Sequence, residues 1–502
     1  MIQEFDWLNK WACYTPQRTA LREHDRDIQW NYLQFNQRVN SLAAYLSQDL
    51  KLGKGSRIAV YSRNRAEYVF LFFACVKLGA VLVPLNFRLT PRELDILIKD
   101  AQPHLLFYEE TFSEQVQELK TFSSIAQKDK VETLSQFLTG AITSPEFSAD
   151  NEMTEDDLVM ILYTSGTTGL SKGAMINHRM LFWNSINTEL RLDINSADHT
   201  QSYAPFFHTG GWNVLLTPFI HHGASHTLLS SFEPDLILQL IEKEKSTLLF
   251  GVPTMMQMLA DSPFFETADL SSVRYAVVGG SPMPVPLINK WHDKGIFIRQ
   301  GYGLTEVGPN CFSLHQNDAI RKRGSIGFPN FYIQAKIMEA SDHECAANET
   351  GELWLKSPVV TPGYWKNEKS SAEAVTDGWF HTGDMVRRDD EGYYYVVDRK
   401  KNMYISGGEN VYPAEVEKFL YTHEAVKEAA IIGVEDEKWG EAGIAFIVLN
   451  EGASLTKEEV LDFCKGRLAK YKTPKYVKFL DEIPKNEAGK INRRILLNKH
   501  NH

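Results

Sequence analysis

Short apolar runs alternate with helix-patterned stretches through most of the chain, and this alternation limits the fold more than any single motif does. Runs typical of buried strands are Arg57 to Tyr61, Ala80 to Val83, Leu105 to Tyr108 and Leu158 to Leu162. Helices are predicted over Asn31 to Leu50, over Arg65 to Leu78 and from Pro91 onward. Strands separated by helices predict a parallel sheet in an α/β fold.

The alternation continues past the middle of the chain and then changes character. Lys120 to Thr154 is polar and weakly patterned, so we expect a surface excursion there. Further strands are predicted at Ser202 to Ala204, Ser225 to Leu229, Thr247 to Gly251, Arg274 to Val278 and Phe297 to Arg299. From about Gly324, short strands without long helices predict an appended β subdomain. Beyond a charged break at Asp398 to Asn402, the pattern predicts a compact α+β domain.

A loop rich in hydroxyl residues and glycine, Tyr163 to Gly173, follows the strand at Leu158 to Leu162. Glycines let the backbone approach a ligand closely, while bare N–H groups and Ser/Thr hydroxyls donate to anions. Lys172 adds a positive charge. The stretch therefore has the chemistry of a phosphate cradle.

Other interpretations of this loop compete with the cradle. A flexible surface loop is the ordinary meaning of a Ser/Thr/Gly cluster. The Walker pattern, Gly-x-x-x-x-Gly-Lys-Ser/Thr, is not matched. Ser171 stands five places after Gly166, where the second glycine belongs, and Gly173 follows Lys172, where a serine or threonine belongs. Gly169 to Gly173 fits the Gly-x-Ser-x-Gly elbow of a serine hydrolase with Ser171 as nucleophile, although that elbow should turn directly off the strand.

Composition narrows the classes of partner. A chain of 502 residues should hold at least two domains. Its net charge of −11 argues against a nucleic-acid partner, because nucleic acids select basic surfaces. Five scattered cysteines suit a reducing compartment, which predicts a cytoplasmic protein. The most apolar stretch, Tyr68 to Leu85, is interrupted by Lys77, Gly79 and Pro84, so no transmembrane segment is expected.

Gln300 to Glu306 follows a predicted strand and begins like a dinucleotide fingerprint. It departs from that fingerprint because Glu306 stands where the third glycine belongs. Tyr302 could instead stack on a base, Thr305 could donate to a phosphate, and Glu306 could hold Mg²⁺, which prefers one or two carboxylates plus phosphate oxygens. The simpler alternative is an exposed turn with a solvated glutamate.

Several further stretches are candidates, each with an ordinary structural alternative. Gly280, Ser281 and Pro282 follow the strand at Arg274 to Val278, where α/β sheets bind ligands. Asp384 could accept hydrogen bonds from ribose hydroxyls or cap a turn. Pro205 to Trp212 could wall an apolar pocket or pack in a core around His208. His222 and His226 are separated by Gly223, so no transition metal is assigned.

Taken together, these stretches resemble the adenylate-forming superfamily of acyl-CoA synthetases, luciferases and peptide-synthetase adenylation domains. The resemblance covers nearly the whole chain. It is strongest in five stretches that occur in the family's order, Tyr163 to Gly173, Gln300 to Glu306, Gly378 to Asp384, Asp398 to Glu415 and Pro484 to Lys490. It implies a large N-terminal adenylation domain at residues 1–398 and a small mobile C-terminal domain at residues 399–502.

The resemblance also implies site residues and the cofactors ATP, Mg²⁺ and CoA. The ATP phosphates would be held by Thr164, Ser165, Gly166, Thr167, Thr168, Gly169 and Lys172, and the adenine by Gly280, Ser281, Pro282, Gly301, Tyr302 and Gly303. Thr305 would serve phosphate, Thr164 and Glu306 would serve Mg²⁺, and Asp384 and Arg399 would hold the ribose. Lys401 lies near the family's hinge position.

The implied reaction has two steps, separated by a rotation of the C-terminal domain. Lys490 resembles the lysine that contacts both the carboxylate and the α-phosphate during acyl-AMP formation, where its charge would stabilise the transition state. The rotation would then bring Ser406, Gly407, Gly408 and Glu409 to a thiol. That thiol could belong to CoA or to the pantetheine of a carrier protein. A homodimer is compatible with this interpretation.

The acid would lie against His208, Gly210, Gly211, Trp212, Val252 and Pro253. Peptide-synthetase relatives have an aspartate where His208 stands, so a free amino acid is disfavoured. Trp212 lies where long-chain fatty-acyl relatives have a gating tryptophan. The run from Ser406 to Pro413 resembles bacterial fatty-acyl and o-succinylbenzoate–CoA ligases more than plant 4-coumarate ligases. We expect a medium- or long-chain fatty acid, with an aryl acid as the rival because aromatic-rich pockets also bind rings.

Overall fold

The computed structural model describes residues 4–148, 152–164, 171–281, 283–339, 343–407, 409–465, 467–485 and 490–501. Within these ranges a large N-terminal α/β part with four sheets precedes a smaller C-terminal part with one sheet. This architecture confirms the predicted fold class. The predicted boundary falls at the end of a strand, because Arg399 still pairs with Asp384 of the N-terminal part.

The strands of the N-terminal part, in chain order, are β1 (Thr19–Glu23), β2 (Ile28–Asn31), β3 (Arg57–Tyr61), β4 (Val81–Leu85), β5 (Leu105–Tyr108), β6 (Gln127–Lys130), β7 (Leu158–Thr164), β8 (Lys172–Asn177), β9 (His199–Ser202), β10 (Ser225–Leu228), β11 (Leu248–Gly251), β12 (Tyr275–Val278), β13 (Ile298–Tyr302), β14 (Phe312–Ser313), β15 (Phe328–Pro329), β16 (Gln334–Met338), β17 (Thr350–Lys356), β18 (Val375–Thr376), β19 (Trp379–Arg388) and β20 (Tyr394–Arg399). Those of the C-terminal part are β21 (Tyr404–Ser406), β22 (Glu409–Val411), β23 (Val426–Asp436), β24 (Gly440–Leu449) and β25 (Tyr476–Phe479).

The α-helices are α1 (Trp7–Tyr14), α2 (Tyr32–Gln48), α3 (Ala66–Leu78), α4 (Pro91–Ala101), α5 (Ser113–Gln117), α6 (Ser135–Thr139), α7 (His178–Leu192), α8 (Leu216–His221), α9 (Pro234–Glu244), α10 (Pro253–Asp261), α11 (Val285–Asp293), α12 (Glu368–Ala374), α13 (Pro413–Leu420), α14 (Lys457–Cys464) and α15 (Arg493–Asn501). Among the described residues, no helix combines the length and the apolar character needed to cross a bilayer.

One six-stranded sheet has the order β6-β5-β3-β4-β7-β8. Its strands run parallel except for the hairpin of β7 and β8, whose first strand was predicted and whose second was not. The expected surface excursion over Lys120 to Thr154 is partly wrong. Gln127 to Lys130 forms the edge strand β6, because its backbone pairs with β5 although its side chains are polar.

The main core lies beside this sheet around α3. Every residue of α3 is buried, as expected for a helix that is apolar on all sides. Phe70 packs between Trp30 and Phe35, with ring centroids 5.1 and 4.5 Å away. The same core includes Phe206 and Trp212, so it reaches the segment predicted to wall the acid pocket.

Two further N-terminal sheets carry the ligand-facing loops. One has the order β2-β1-β10-β9, and the other has parallel β11, β12 and β13 extended by antiparallel β14 and β15. Strand β9 ends at Ser202, whereas the sequence placed a strand at Ser202 to Ala204. The carboxyl ends of β12 and β13 are neighbours, which brings Gly280 and Gly303 to one edge of the sheet.

The predicted β subdomain is confirmed as a sheet of order β16-β17-β19-β18, with β20 paired to β19. The long strand β19 was missed. Gly383 has a left-handed φ of +68° inside it, and such a residue reads as a turn in the sequence. The C-terminal sheet has the order β22-β21-β24-β23, with β25 on β24.

Candidate active site

The hairpin of β7 and β8 aligns the two ends of the predicted phosphate loop. Thr164 ends β7 and pairs with Lys172, which begins β8. The Thr164 hydroxyl lies 3.3 Å from Oε1 of Glu306 and donates weakly to the Lys172 carbonyl at 3.5 Å. Thr164, Lys172 and Glu306 are therefore brought together as predicted. The intervening Ser165, Gly166, Thr167, Thr168 and Gly169 lie outside the described residues.

Tyr364 joins this cluster and was not predicted. Its hydroxyl donates to Oε1 of Glu306 at 3.0 Å, and Nζ of Lys172 lies 5.2 Å from the centre of its ring. The segment is held in place because the Thr361 amide donates to the Glu306 carbonyl at 2.7 Å. The sequence signal was weak, since Gly363-Tyr364-Trp365 reads only as a turn with two aromatic residues.

The oxygens at this cluster suit a magnesium ion. A carboxylate from Glu306 and a hydroxyl from Thr164 lie side by side, and both are hard donors. One carboxylate leaves room for phosphate oxygens and water, which Mg²⁺ retains in nucleotide sites. Thr305 begins the short 3-10 segment Thr305–Val307 that carries Glu306.

Asp384 is the centre of a second polar cluster. Its Oδ2 accepts a 2.5 Å hydrogen bond from the Tyr302 hydroxyl, while its Oδ1 pairs with Nε of Arg399 at 2.5 Å. Burial raises the pKa of Asp384, and the Arg399 charge opposes that rise. Both residues predicted to hold ribose are thus paired, and Tyr302 is fixed beside them.

Glycines keep backbone open at the predicted adenine site. Gly303 follows β13, and a Cβ there would lie 2.3 Å from the carbonyl carbon of Pro309, so only glycine fits. Gly301 is the last residue but one of the same strand, and Gly280 and Ser281 are exposed just beyond β12. Pro282 lies outside the described residues.

Lys490 comes from the C-terminal part and lies among these N-terminal groups. Desolvation and the neighbouring charges of Arg399 and Lys401 lower the pKa of Lys490, whereas the carboxylates of Asp384 and Glu306 oppose that shift. The side chain keeps access to solvent. The predicted adenylation lysine therefore lies within electrostatic range of both Asp384 and Glu306.

His208, in the N-terminal part, lies within electrostatic range of Lys490. Burial lowers the pKa of His208 to about 4, and the positive charges of Lys490 and Arg88 lower it further. Its ring is therefore neutral at pH 7. Within the described part of the chain, no hydrogen-bond partner meets its buried Nε2. Arg88, which sequence reasoning missed, stacks on Phe87 and Phe207 at 5.5 and 5.7 Å.

Trp212 packs in the core of this structure, and its predicted role as a gate stays a prediction. Its side chain is 0% exposed, stacks on Phe206 at 4.3 Å and donates to the Phe206 carbonyl at 2.6 Å. Gly211 serves packing as well, because a Cβ there would lie 2.5 Å from the Pro205 carbonyl oxygen. The tryptophan is turned into the core by the π-helical segment Gly210–Val214.

The other predicted acid-site residues remain close to the cleft. Gly210 faces the Phe250 ring, which would lie 3.3 Å from an added Cβ. Val252 caps α10, Pro253 begins it, and a Cβ on Gly280 would lie 3.3 Å from Cγ1 of Val252. The acid-site and adenine-site residues are thus neighbours at the carboxyl ends of β11 and β12.

The predicted thiol-step residues lie on the C-terminal sheet. Ser406 ends β21 and pairs with Glu409 of β22, while the Gly407 amide donates to the Trp439 carbonyl at 2.8 Å. Gly408 lies outside the described residues. Lys401 lies in the 3-10 segment Lys400–Asn402, and its pKa is lowered by burial and by the charge of Arg399.

The hydrolase alternative on Ser171 is wrong. Its elbow requires a helix directly after the nucleophile. Here Lys172 to Asn177 is strand β8, paired antiparallel to β7, and Ser171 is an exposed residue of the hairpin.

Comparison with known proteins decides the family. The AMP-binding enzyme family matches residues 8–365, and the AMP-binding enzyme C-terminal domain matches residues 415–490. The chain belongs to the AMP-binding enzyme family. It is an acid–thiol ligase of the acyl-CoA synthetase type, which confirms the predicted superfamily and enzyme class.

Three relatives illustrate the range of this family. A feruloyl-CoA synthase from Amycolatopsis sp is 38% identical over 485 residues, covering 97% of this chain and 96% of the relative. The structure of o-succinylbenzoate CoA synthetase from Bacillus subtilis with its acyl-adenylate intermediate superimposes with a TM-score of 0.86 at 32% identity, covering 99% and 98% of the two chains. A Mycobacterium tuberculosis fatty acyl CoA synthetase superimposes with a TM-score of 0.80 at 31% identity, covering 98% and 97%.

Proposed function

We propose that this acid–thiol ligase activates an aryl-substituted carboxylic acid as its acyl-AMP and then transfers the acyl group to CoA. Its cofactors are ATP, Mg²⁺ and CoA, as predicted. The single observation that carries the adenylation step is that Lys490 of the C-terminal part lies within electrostatic range of Asp384, Arg399 and Glu306 of the N-terminal part.

The first step joins two anions, so positive charge at their meeting point lowers the barrier. A carboxylate oxygen of the acid attacks the α-phosphorus, the bond to the β-phosphate breaks, and pyrophosphate leaves. Lys490 would stabilise the negative charge that builds up on the α-phosphate. Thr164, Lys172 and Glu306 would hold the leaving phosphates, and Mg²⁺ would neutralise part of their charge.

In the second step the sulfur of CoA attacks the acyl carbonyl, and the bond to AMP breaks as the thiol proton is released. Asp384, Tyr302 and Arg399 would hold the nucleotide through both steps. Ser406, Gly407, Gly408 and Glu409 would reach the thiol after the C-terminal domain rotates about Lys401. A neutral His208 suits the acid site, because it offers hydrogen bonding without a second fixed charge.

An aryl acid is favoured over the fatty acid that the sequence suggested. A relative at 38% identity and a solved structure at 32% identity are named for aryl acids, ferulate and o-succinylbenzoate. The predicted fatty-chain gate, Trp212, has no exposed surface. Aromatic rings of Phe207 and Phe250 lie beside His208 and Gly210, where offset or edge-to-face contacts with a ring are available.

The test is pyrophosphate release measured across a matched panel of aryl, fatty and amino acids, each with and without CoA. We expect sustained turnover with hydroxycinnamic or other aryl acids only when CoA is present. Preference for medium- or long-chain fatty acids would overturn the aryl assignment. Acyl-AMP that CoA cannot discharge would point to a carrier-protein acceptor, and absence of release with every acid would overturn the ligase mechanism.

A further inference from the structure

In the C-terminal part, Pro484 and Lys485 pair with Asn492 and Ile491, and we call these four described residues, which flank Lys490, the base of the lysine hairpin. The Asn492 amide donates to the Pro484 carbonyl at 2.8 Å, and Lys485 and Ile491 form an antiparallel bridge. The position of Lys490 therefore depends on how the base of this hairpin is fixed to the C-terminal sheet.

One end of the hairpin base is held by a partly buried ion pair between Arg493 and Glu417, which we call the clamp. Nη2 of Arg493, three residues after Lys490, pairs with Oε1 of Glu417 at 2.6 Å. The same carboxylate oxygen accepts from the Ile431 amide at 2.8 Å, and Nε of Arg493 donates to the Ile431 carbonyl at 3.3 Å. The clamp thus ties the start of α15 to both α13 and β23.

The ion pair lies in a largely buried environment, which disfavours charged side chains. The Glu417 and Arg493 side chains are only 10% and 23% exposed, and burial raises the pKa of Glu417 to about 7. Buried ion pairs contribute little net stability compared with well-packed apolar residues. A structural role alone would therefore be served as well by neutral side chains.

The clamp is also connected to the segment from Asp398 to Asn402, which joins the N-terminal and C-terminal parts. Glu417 lies on α13, whose Ala414 amide donates to Oδ2 of Asp398 at 2.7 Å. Oδ1 of the same aspartate accepts from the Arg399 amide and from Asn402 at 2.6 and 2.9 Å. A continuous chain of contacts therefore runs from the predicted hinge, through α13 and the clamp, to the lysine hairpin.

We propose that Glu417 and Arg493 are positioning residues that fix Lys490 relative to the C-terminal domain, so that domain rotation delivers and withdraws the lysine as a rigid unit. This inference rests on the proposed role of Lys490 in acyl-AMP formation. It predicts that weakening the clamp slows adenylation while thioester formation, from which the lysine has been withdrawn, continues.

The test uses Glu417→Gln in the full chain, with adenylation measured by ATP–pyrophosphate exchange and thioester formation measured from supplied acyl-AMP and CoA. Glutamine keeps the shape and can still accept from the Ile431 amide, so the fold should persist; a thermal melt checks this. We expect kcat for adenylation to fall about tenfold, with KM for ATP and thioester formation changed less than about twofold. Arg493→Lys should retain more adenylation than Arg493→Gln.

Two comparisons separate positioning from a general structural effect. Lys472→Gln is the matched control, because it breaks the more exposed pair between Lys472 and Glu415 on the same helix α13 without touching the hairpin base, and it should leave both steps unchanged. In a Lys490→Ala background, Glu417→Gln should cause no further loss of adenylation, because its effect passes through the lysine.

Equal losses in both steps, or a further loss in the Lys490→Ala background, would overturn the proposal. Normal adenylation by Glu417→Gln would overturn it while leaving the proposed function intact. Failure of the wild-type chain to form acyl-AMP from any acid would instead overturn the proposed function and this inference with it.

Discussion

The Tyr302 hydroxyl donates to one oxygen of Asp384 at 2.5 Å, and Arg399 pairs with the other oxygen at the same distance. Three elements distant in sequence, β13, β19 and the end of β20, meet at this carboxylate. The residues predicted to bind ribose are thus already bonded to one another in a network. Disrupting this network should weaken nucleotide binding in both steps of the reaction.

Asp384→Asn should raise KM for ATP about ten- to hundredfold, because hydrogen bonds to charged groups contribute about 1.5–3 kcal/mol each. It should also weaken binding of supplied acyl-AMP, since the same nucleotide is held in both steps. Steady-state kinetics of each half-reaction measure this. Tyr302→Phe, which removes one contact, should have a smaller effect in the same direction. Loss of adenylation with normal nucleotide binding would contradict the assignment.

Tyr364→Phe should increase the Mg²⁺ concentration needed for half-maximal pyrophosphate release several-fold. It removes the 3.0 Å hydrogen bond that orients the Glu306 carboxylate and keeps the ring beside Lys172. Mg²⁺-dependent ATP binding, followed by calorimetry, should weaken in parallel. Tyr395→Phe is a matched control, because it removes a tyrosine–carboxylate contact to Asp389 within the β subdomain. An unchanged Mg²⁺ requirement in Tyr364→Phe would show that Tyr364 does not orient Glu306.

Trp212→Ala should lower the free energy of unfolding by about 3–5 kcal/mol, the usual cost of truncating a buried tryptophan. Urea denaturation measures this loss. Trp212→Phe should be milder and should leave the acid preference unchanged, because the side chain supports the pocket from behind. A shift in chain-length preference with little loss of stability would restore the gate interpretation.

Buried histidines should make the fold sensitive to acid. Burial lowers the pKa of His226 and His221 to about 3, and of His178 and His222 to about 4. The unfolded chain, with histidine pKa values near 6.5, binds more protons in this window, so stability falls as the pH drops from about 6.5 toward 4. Denaturation at several pH values should show this slope, and His226→Gln should reduce it. A flat profile over this range would contradict the burial of these rings.

Sequence reasoning predicted elements that carry a strong local pattern. Helix α4 was found because Pro91 stands at its first turn, and α3 because its apolar residues fill one helix length. Strands β6 and β19 were missed, because sheet pairing overrides the polar residues of one and the glycine of the other. Local pattern does not report such long-range pairing.

The candidate site shows the same contrast between residues that stand in local motifs and residues that only the fold brings together. Thr164, Glu306, Asp384 and Lys490 stand in motifs, so sequence reasoning could name them as candidates. Tyr364 and Arg88 lack a motif, and only the fold brings them to the cleft. The burial of Trp212 could not be predicted, because an aromatic residue beside glycines has the same sequence signature in a pocket and in a core.

The most direct test of the central claim compares the two half-reactions in Lys490→Ala. The account predicts that acyl-AMP formation from an aryl acid and ATP falls about a hundredfold or more, because the charge that stabilises the transition state is removed. Thioester formation from supplied acyl-AMP and CoA should stay within a few-fold of wild type. Normal acyl-AMP formation by Lys490→Ala would contradict the account, because the lysine that joins the two clusters would then have no part in adenylation.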